Sequence, residues 1–289
     1  MPGRWYVPGM EVAERIQGRG ASLTAAERRV AEVLLARPQL VGFGTVADLA
    51  AEAGTGAATV VRLAAKLGYS GFSALQDSVQ SDLTRKLRPA AERIREGGSG
   101  HPLELARFTE SGNVAATLDA VDPTELTAVI DALSDLGRHV LVLAGNAATG
   151  VAQQFADEMF SLRPDVRRLD GNEVALHRDL ALAGAGSVAV AIDVRRYDRW
   201  LLDAARTATA TGSTVVALTD SVLSPLARYA SHTFVLSAAS VGPFDSQVGT
   251  LALLNTIVAG VADRLRSTAS VRLDQAEQAW TESGSLTDG

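Results

Sequence analysis

Residues 45–68, TVADLAAEAGTGAATVVRLAAKLG, contain two short helical patterns that meet at a Gly-Thr-Gly corner. In each pattern apolar residues recur at the i, i+3, i+4 and i+7 spacing that places them on one face of a helix. The apolar positions are Val46, Leu49, Ala50 and Ala53 in the first pattern and Val60, Leu63, Ala64 and Leu67 in the second. The spacing predicts two helices that each bury one face and cross closely, as in a helix-turn-helix.

The corner and the second helix carry the candidate DNA contacts. Gly54 lies where the first helix must stop and tolerates left-handed backbone, and Gly56 is a weak N-cap for the second helix. Methyl groups can touch thymine, Thr can bond a base or phosphate, and Arg can grip guanine in a bidentate manner. A helical hairpin in an all-α assembly is the alternative interpretation of the spacing. The candidate DNA-binding residues are Thr55, Ala57, Ala58, Thr59, Arg62, Lys66, Tyr69 and Ser70.

Neighbouring segments favour the helix-turn-helix. Residues 22–37, SLTAAERRVAEVLLAR, predict an upstream helix that opens with a capping box between Thr24 and Glu27. Its apolar positions supply a third wall for the two helices. Residues 70–95 continue as helix, with Pro89 marking a bend or a restart.

Charge is distributed unevenly along the chain. Residues 1–95 contain 13 Lys or Arg and 9 Asp or Glu, a net charge of +4, whereas residues 96–289 contain 14 and 24, a net charge of −10. A chain of net charge −6 is repelled by nucleic acid as a whole, so the positive part localises any phosphate contact. The cationic outer face of residues 57–66 also argues against a module that only assembles other proteins.

Composition bounds the class of protein. A chain of 289 residues with 47% hydrophobic and 21% charged residues is long enough for two globular domains. It has no cysteine and four scattered histidines, so we expect neither a metal site nor a cofactor. Residues 1–10 lack the apolar region of a signal peptide, and no run approaches the ~20 apolar residues of a membrane span. We therefore expect a cytoplasmic protein without membrane contact.

The Gly-rich segment EGGSGHP, residues 96–102, is the best linker in the chain. It predicts a helix-turn-helix domain over residues 1–95 and a second domain over residues 103–283. Residues 284–289 are expected to be a disordered tail.

The second domain alternates short apolar runs with helical segments. Continuous Val, Leu, Ile and Ala runs are typical of parallel strands covered on both faces, and right-handed crossovers join such strands. The pattern predicts a doubly wound α/β sheet, with helices near residues 103–117 and 123–136 before it and a long helix near 245–267 after it. The predicted strands are residues 138–145, 165–170, 187–194, 213–220 and 231–237.

Ligands of open parallel sheets bind outside the carboxyl ends of the strands, where helix N-termini point free amides outward. Four loops are expected at that edge: residues 145–150, 170–173, 193–198 and 219–225. The first, GNAATG, offers amides and a hydroxyl that can hold an anion. The candidate effector-binding residues are Gly145, Asn146, Thr149, Asp170, Asp193, Arg195, Arg196, Ser221 and Ser224.

The combined pattern resembles the RpiR-type bacterial transcription regulators, which join an N-terminal helix-turn-helix domain to a sugar isomerase (SIS) domain. The resemblance covers nearly the whole chain, and its most specific part is TVVRLAAKLGYSGF; VLVLAGNAATG and ALTDSVLSPLARYA match the second half. It implies an all-α domain followed by an αβα sandwich with a five-stranded parallel sheet. It also implies a homodimer or homotetramer that binds a double-stranded DNA operator and controls carbohydrate or related catabolic genes. A small effector, such as a sugar phosphate, a sugar acid or another anion, is implied as the signal.

Two departures from the family pattern stand out. The family usually has Ser at the N-cap of the recognition helix, where this chain has Gly56. Sugar-phosphate-binding members also carry a Ser-x-Ser-Gly-x-Thr loop after the third strand, which here reads DVRRYD, residues 193–198. Three interpretations of the two arginines stay open: they bind an anionic effector, they pair with Asp193 and Asp198, or one of them crosses a subunit interface.

An enzyme is the rival class, because related SIS domains interconvert aldoses and ketoses with a base such as Glu or His. Glu173 and His177 lie four residues apart and would share a helix face. A solvated or interface pair is the favoured interpretation of these two residues, so no catalytic residue is assigned. His101, His139 and His232 lie in the linker or at strand starts, away from the ligand edge.

Overall fold

The computed structural model describes residues 12–19, 22–36, 38–87, 90–96, 101–170, 173–222 and 224–285. The chain forms two compact units, Met1–Pro89 and Ala90–Gly289. Each unit has its own hydrophobic core.

The first unit is helical. Its upstream helix opens with the predicted capping box, in which the Thr24 N–H donates to Glu27 Oε2 at 2.8 Å and the Glu27 N–H donates to Thr24 Oγ1 at 3.3 Å. Seven of the eight apolar positions predicted for the helix pair are buried, and Val46 packs against the same core. The helices are α1 (Val12–Arg19), α2 (Ala25–Ala36), α3 (Pro38–Phe43), α4 (Val46–Glu52), α5 (Ala57–Lys66) and α6 (Phe72–Leu87).

The turn between α4 and α5 has the predicted backbone. Helix α4 begins with a further capping box, in which Thr45 Oγ1 accepts the Asp48 N–H at 3.2 Å and Asp48 Oδ2 accepts the Thr45 N–H at 2.8 Å. After α4 ends, Gly54 takes a left-handed conformation with φ of 57°. Gly56 is the N-cap of α5 in extended backbone, with no side-chain hydrogen bond. The helix-turn-helix prediction is confirmed.

The second unit is a five-stranded parallel sheet covered by helices. The strand order is β2-β1-β3-β4-β5, and the register places Val140 beside both Val166 and Val188. The predicted fold class is confirmed. The strands are β1 (His139–Ala144), β2 (Val166–Arg168), β3 (Ser187–Ile192), β4 (Thr214–Thr219) and β5 (His232–Val235). The helices are α7 (Ala90–Glu96), α8 (Pro102–Asp119), α9 (Pro123–Ser134), α10 (Thr149–Leu162), α11 (Glu173–Ala183), α12 (Arg199–Ala210), α13 (Val248–Arg264) and α14 (Arg266–Ser283).

Alternating side chains of each strand divide the core between the two faces of the sheet, because successive residues of a strand point to opposite sides. Val140 and Val142 pack with α9, α10 and α13, whereas Leu141 and Leu143 pack with α11 and α12. Helices therefore shield both faces of the sheet from solvent. This explains why the strands are continuous apolar runs and do not alternate between apolar and polar residues.

A fully buried arginine, Arg163, lies beside the amino end of β1. Arg163 donates to the carbonyls of Leu133 (2.5 Å), Asp135 (3.0 Å), Pro164 (3.1 Å) and Arg138. Burial lowers the pKa of this guanidinium from its usual value, and the nearby carboxylates act in the opposite sense. The side chain thus bonds four backbone carbonyls, including those of the segment between α9 and β1.

The predicted long helix near residues 245–267 is corrected to two helices. Helix α13 ends at Arg264, Leu265 lies between, and α14 continues to Ser283. The sequence of α14 is polar with few apolar positions, so its periodicity is weak. Within the described residues, no single helix is both long and apolar enough to cross a membrane, and α13 with α14 meets that measure only as a pair bent by 104°.

The second unit begins at Ala90, inside the segment that was expected to close the first domain. Arg93 of α7 forms an ion pair with Asp245 at 2.8 Å, which ties this helix to the α/β unit. The predicted linker and tail fall mostly on residues 97–100 and 286–289, outside the described residues, and the domain limits stay a prediction.

Candidate nucleic-acid interface and effector site

The open face of α5 is short and carries one cation. Ala57, Ala58, Val61, Arg62 and Ala65 are exposed on it, while the opposite face is buried in the core. Val61 is 44% exposed and was missed as a candidate. The signal was present in the sequence, because Val61 and Ala65 follow Ala57 and Ala58 at helical spacing.

Two threonines do not lie on that open face, which corrects the prediction for Thr59. Thr59 is only 7% exposed and its hydroxyl accepts from Arg62 Nη2 at 3.2 Å. Thr55 Oγ1 is also buried and finds no hydrogen-bond partner among the described residues. Thr59 therefore orients Arg62 rather than presenting its own hydroxyl.

Lys66 is engaged inside the first unit, whereas the sequence placed it on the outer face. Its Nζ lies 2.9 Å from Glu27 Oε2 and 2.6 Å from the Ser22 carbonyl. The Lys66 hydrogen bond, followed by the Thr24 backbone hydrogen bond, lowers the pKa of Glu27 to about 2. Glu27 thus caps α2 and anchors the end of α5 with the same carboxylate.

Further contacts fix the ends of α4 and α5 in the first unit. Tyr69 is half-buried, its hydroxyl lies 3.2 Å from Ser78 Oγ, and the Arg15 guanidinium stacks 4.6 Å from its ring centroid. Ser70 is exposed. Arg29, which sequence reasoning missed, donates to the Ala53 carbonyl at 3.2 Å at the end of α4. A basic side chain bonded to the last carbonyls of a helix is a common C-terminal cap, and this signal is too general to have been identified in the sequence.

The first ligand loop, residues 145–150, follows β1 at the carboxyl edge of the sheet. Gly145 donates its N–H to the Ile192 carbonyl at 2.9 Å, so this loop lies directly beside the end of β3. The Asn146 N–H donates to Asp198 Oδ2 at 2.7 Å. Thr149 Oγ1 donates to the Asn146 carbonyl at 3.0 Å. The amides of Gly145 and Asn146 and the Thr149 hydroxyl, which were predicted to hold an anion, therefore all donate to groups of the protein itself, and the acceptor at Asn146 is Asp198.

The Asp193 carboxyl is packed against Gly145. A Cβ at Gly145 would lie 2.7 Å from Asp193 Oδ2 and closer still to Oδ1, so only glycine fits there. The pKa of Asp193 is raised to about 7, mainly by burial, with the charges of Asp198 and Asp220 acting in the same direction and the N–H groups of Asp198 and Val194 in the opposite one. A carboxyl that is 4% exposed and titrates near neutrality is the main electrostatic feature of this loop.

Arg195 and Arg196 both have left-handed backbone, with φ of 47° and 35°. Such conformations cost non-glycine residues about 1–2 kcal/mol each and mark functional loops. Arg195 Nη1 lies 3.3 Å from Asp245 Oδ1 and its Nη2 donates to the Ala238 carbonyl at 3.2 Å. The interpretation that Arg195 pairs with Asp193 is therefore wrong. Arg196 is exposed.

Asp245 bonds two arginines through one oxygen. Arg93 Nη1 lies 2.8 Å from Asp245 Oδ1, the atom that Arg195 also approaches. All three side chains are mostly buried. Asp245 lies just before α13 in sequence, and no periodicity or motif marks it.

The other candidates of the ligand edge are held in local contacts. Asp220 accepts the Tyr197 hydroxyl at 2.5 Å, and burial, followed by the charge of Asp220, raises the pKa of that tyrosine above its usual value. Ser224 is buried, and its Oγ accepts the Ala227 N–H at 3.1 Å. Asp170 is exposed and pairs with Arg168 at 2.6 Å. Ser221 lies in the same loop as Ser224 and accepts the Ser224 N–H at its carbonyl.

Comparison with known proteins supports both the helix-turn-helix domain and the α/β domain. The family model for the helix-turn-helix domain of the rpiR family matches residues 10–86, and the SIS domain model matches residues 133–260. The chain belongs to the RpiR family of transcription regulators. The resemblance inferred from the sequence is thereby confirmed.

Individual relatives and solved structures are similar to all or part of this RpiR-type chain. The HTH-type transcriptional regulator HexR of Pseudomonas aeruginosa is 27% identical over 261 residues, which cover 87% of this chain and 89% of HexR. An RpiR transcription factor (sugar isomerase domain) from Sphaerobacter thermophilus is 29% identical, with a TM-score of 0.56 over 62% of this chain and 99% of that one. The Vibrio vulnificus NanR protein complexed with ManNAc-6P has the same fold, with a TM-score of 0.56 at 19% identity over 94% of this chain and 98% of NanR.

The RpiR-type chain is a DNA-binding transcription regulator and not an isomerase, since the rpiR helix-turn-helix model matches residues 10–86 and relatives such as HexR are named as transcriptional regulators. The two candidates for an isomerase base, Glu173 and His177, both lie on α11. Glu173 is exposed at the start of α11, and His177 Nδ1 lies 3.1 Å from Thr207 Oγ1 on α12. His232 pairs with Glu125 at 2.6 Å, at the amino end of β5.

Proposed function

We propose that this regulator binds an operator through the open face of α5 and controls carbohydrate or related catabolic genes in response to a small metabolite. The observation that carries the proposal is the single cation on that face: Arg62 is exposed, oriented by Thr59, and surrounded by small apolar side chains. Such a face fits a major groove, where Arg reads guanine and methyl groups touch thymine. The cytoplasm, where operator DNA is accessible, is the proposed location.

The wider set of proposed DNA contacts divides into two roles. Ala57, Ala58 and Arg62 are placed to reach base edges, with Val61 added to them. The second role is support, because the other candidates are buried, paired or beyond the helix. These supporting residues are Thr55, Thr59, Lys66, Tyr69 and Ser70.

The effector site is proposed at the carboxyl edge of the sheet, across the loops that hold the nine candidate residues. The strained loop of Arg195 and Arg196 is the element that a ligand would rearrange. An effector that binds Arg195 must replace Asp245 as its partner, because that guanidinium is already paired.

Asp245 joins the effector site to the helix that follows the DNA-binding unit in the sequence. It joins Arg195 of the ligand edge to Arg93 of α7, the first helix of the second unit. A ligand that displaces Arg195 from Asp245 changes the charge balance of the Arg93–Asp245 ion pair that anchors α7. An equilibrium between the arrangements with and without the Arg195–Asp245 contact is sufficient for allosteric control. We further propose that a homodimer or homotetramer sets the spacing of two recognition helices at one or more helical turns of DNA.

The DNA-binding proposal is tested by selecting binding sites from a random double-stranded library and measuring affinity against salt. The logarithm of the binding constant should fall with the logarithm of salt concentration at a slope of about −0.9 for each phosphate neutralised. Arg62→Ala should lose about 1–3 kcal/mol of specific binding and relax one guanine position.

Arg206→Ala is the matched control, since Arg206 is an exposed arginine of the second unit, paired with Asp203. It should leave operator affinity and assembly unchanged. Failure of the native protein to enrich any sequence, or a salt-independent affinity, would refute the regulator mechanism at α5.

A further inference from the structure

We propose that Asp198 is an internal occupant of the anion position in the first ligand loop, so that the effector of this chain binds there without a phosphate group. The inference deepens the proposed function and rests on the effector site being the carboxyl edge of the sheet. Its basis is the contact of 2.7 Å between Asp198 Oδ2 and the Asn146 N–H. That amide opens the turn leading into α10, and an outward amide at such a position is where an anionic ligand would bond.

The side chain of Asp198 turns away from its own helix to make this contact. Asp198 is the N-cap residue of α12, yet its carboxylate makes no capping hydrogen bond to that helix within the described residues. Aspartate at an N-cap ordinarily accepts from the amides of its own first turn. Asp122 does so at the start of α9, where it accepts the Thr124 N–H at 2.7 Å and the Glu125 N–H at 3.1 Å. Asp198 instead supplies its charge to the loop of another strand.

The backbone around Asp198 holds the carboxylate in this place. Its N–H donates to Asp193 Oδ2 at 2.8 Å, and Asp193 is itself wedged against Gly145 beneath the first ligand loop. The end of one loop is therefore locked to the start of the other by two aspartates. The contact follows from the packing of both loops and not from a free surface side chain.

The charge of the surroundings also disfavours a phosphate. A phosphate at the Asn146 amide would have to replace Asp198, and it would lie next to Gly145, against which the Asp193 carboxyl packs. The nearby guanidinium of Arg195 is committed to Asp245 and to the Ala238 carbonyl. Like charges repel, and the loop after β3, residues 193–198, contains none of the serines that sugar-phosphate-binding members carry there.

The carboxylate of Asp198, which is partly exposed, suits a ligand that donates hydrogen bonds. Ionised carboxylates only accept, so they pair with hydroxyl groups and not with phosphate oxygens. The class of effector that this edge accommodates is a hydroxyl-bearing metabolite without phosphate, such as a free sugar, a polyol or a sugar acid whose carboxylate lies away from Asp198. Asp198 is the specificity-determining residue for this choice.

The test compares phosphate binding by the native full-length protein and by Asp198→Ala. Inorganic phosphate is titrated against sodium chloride at matched ionic strength, with thermal unfolding and calorimetry as readouts. The native protein should show no saturable response, while Asp198→Ala should gain phosphate affinity by about tenfold or more, the change expected when one charged hydrogen-bond competitor is removed. Asp198→Asn retains an acceptor oxygen for Asn146 and should gain less.

The control is Asp122→Ala, which removes one N-cap aspartate at α9 and should gain no phosphate binding. If Asp198→Ala does not fold, Asp198→Ser replaces it. Equal phosphate affinity in the native protein and the Asp198 variants, no gain in any of those variants, or an equal gain in Asp122→Ala would each overturn the inference.

A panel of free sugars, polyols, sugar acids and phosphate esters provides a second arm. Stabilisation of the native protein by the unphosphorylated compounds supports the inference, and stabilisation by phosphate esters alone overturns it. Operator selection on the same proteins separates the two proposals. If the native protein selects no DNA, the regulator proposal fails while the phosphate comparison still decides the role of Asp198.

Discussion

Two buried carboxyl groups have opposite titration behaviour because their partners differ. Glu27 accepts from a lysine and a backbone amide, and its pKa is lowered to about 2. Asp193 is surrounded mainly by apolar packing and other carboxylates, and its pKa is raised to about 7. The first group stabilises the folded state when ionised, and the second destabilises it when ionised.

Glu27→Gln should destabilise the first unit by about 1–3 kcal/mol at neutral pH, because the charged hydrogen bond to Lys66 is lost. A lowered pKa gives stability that is present above the usual value of 4.5 and is lost as pH falls towards 2. The difference in urea unfolding between native protein and variant should therefore narrow as pH falls from about 5 to 3. Glu32→Gln, at an exposed position of the same helix, is the control, and equal effects of the two changes would contradict the role of Glu27.

Asp193→Asn should remove a pH dependence of the free energy of unfolding of the second unit. Because the folded pKa is raised to about 7, the native protein should lose stability as pH rises from about 4 to 7, by on the order of a few kcal/mol. The amide oxygen of Asn can still accept the Asp198 N–H, so the variant should be flatter with pH and more stable at about pH 8. Thermal unfolding measured between about pH 4 and 8 tests this prediction, and Asp203→Asn, at an exposed position, is the control. If the melting temperatures of the native protein and Asp193→Asn change with pH in parallel, burial of the Asp193 charge does not destabilise the fold.

At the scale of elements, the α4–α5 corner combines two glycines with different tasks. Gly54 has positive φ, and a Cβ there would meet nothing within 4 Å, so backbone conformation alone requires glycine. Gly56 has ordinary extended backbone and open space around it, so any side chain fits. The first glycine makes the turn, and the second only leaves the start of α5 without a side-chain cap.

We expect Gly54→Ala and Gly56→Ser to change stability in opposite directions. Gly54→Ala should cost about 1–2 kcal/mol because a left-handed alanine is strained. Gly56→Ser should stabilise the first unit by a few tenths of a kcal/mol, about the difference between Ser and Gly at an N-cap. Thermal unfolding of both variants, with Gly56→Ala as the uncapped control, measures this. A stabilising Gly54→Ala, or a Gly56→Ser no better than Gly56→Ala, would contradict the assignment.

At the scale of the whole molecule, the shared carboxylate of Asp245 is the feature that can couple effector binding to a change in DNA binding. Arg93 and Arg195 lie 102 positions apart in the sequence but approach the same oxygen. A pair of arginines on one buried acid responds as a unit, because removing one partner leaves charge to be compensated by the other.

Arg93→Gln should loosen the loop of residues 193–198, and Arg195→Gln should loosen α7, because both arginines hold Asp245 in place and the loss of either one lets that carboxylate move. Hydrogen exchange of the two segments should rise in both variants and in Asp245→Asn, as expected of locally weakened structure. The surface pair Arg264 and Asp131 provides the control variant Asp131→Asn. Exchange that rises only around the substituted residue would show that Asp245 does not couple the two segments.

Elements that depend on residues close together in the chain could be predicted from the sequence. The two apolar stripes, the Thr24–Glu27 capping box and the left-handed Gly54 depend on neighbours three or four positions away, so periodicity and turn chemistry were enough to predict them. The five parallel strands were predictable for a similar reason, since strands buried on both faces are continuous apolar runs.

Tertiary structure alone decided the partners of the charged residues. Lys66 turns to Glu27, Asp198 turns to Asn146, and Arg195 turns to Asp245, each across a gap of many residues in the sequence. A long charged side chain can reach several partners, and which one it takes depends on loops brought together by folding. Fold and DNA-binding class could therefore be inferred from local patterns, whereas the chemistry of the ligand edge could not.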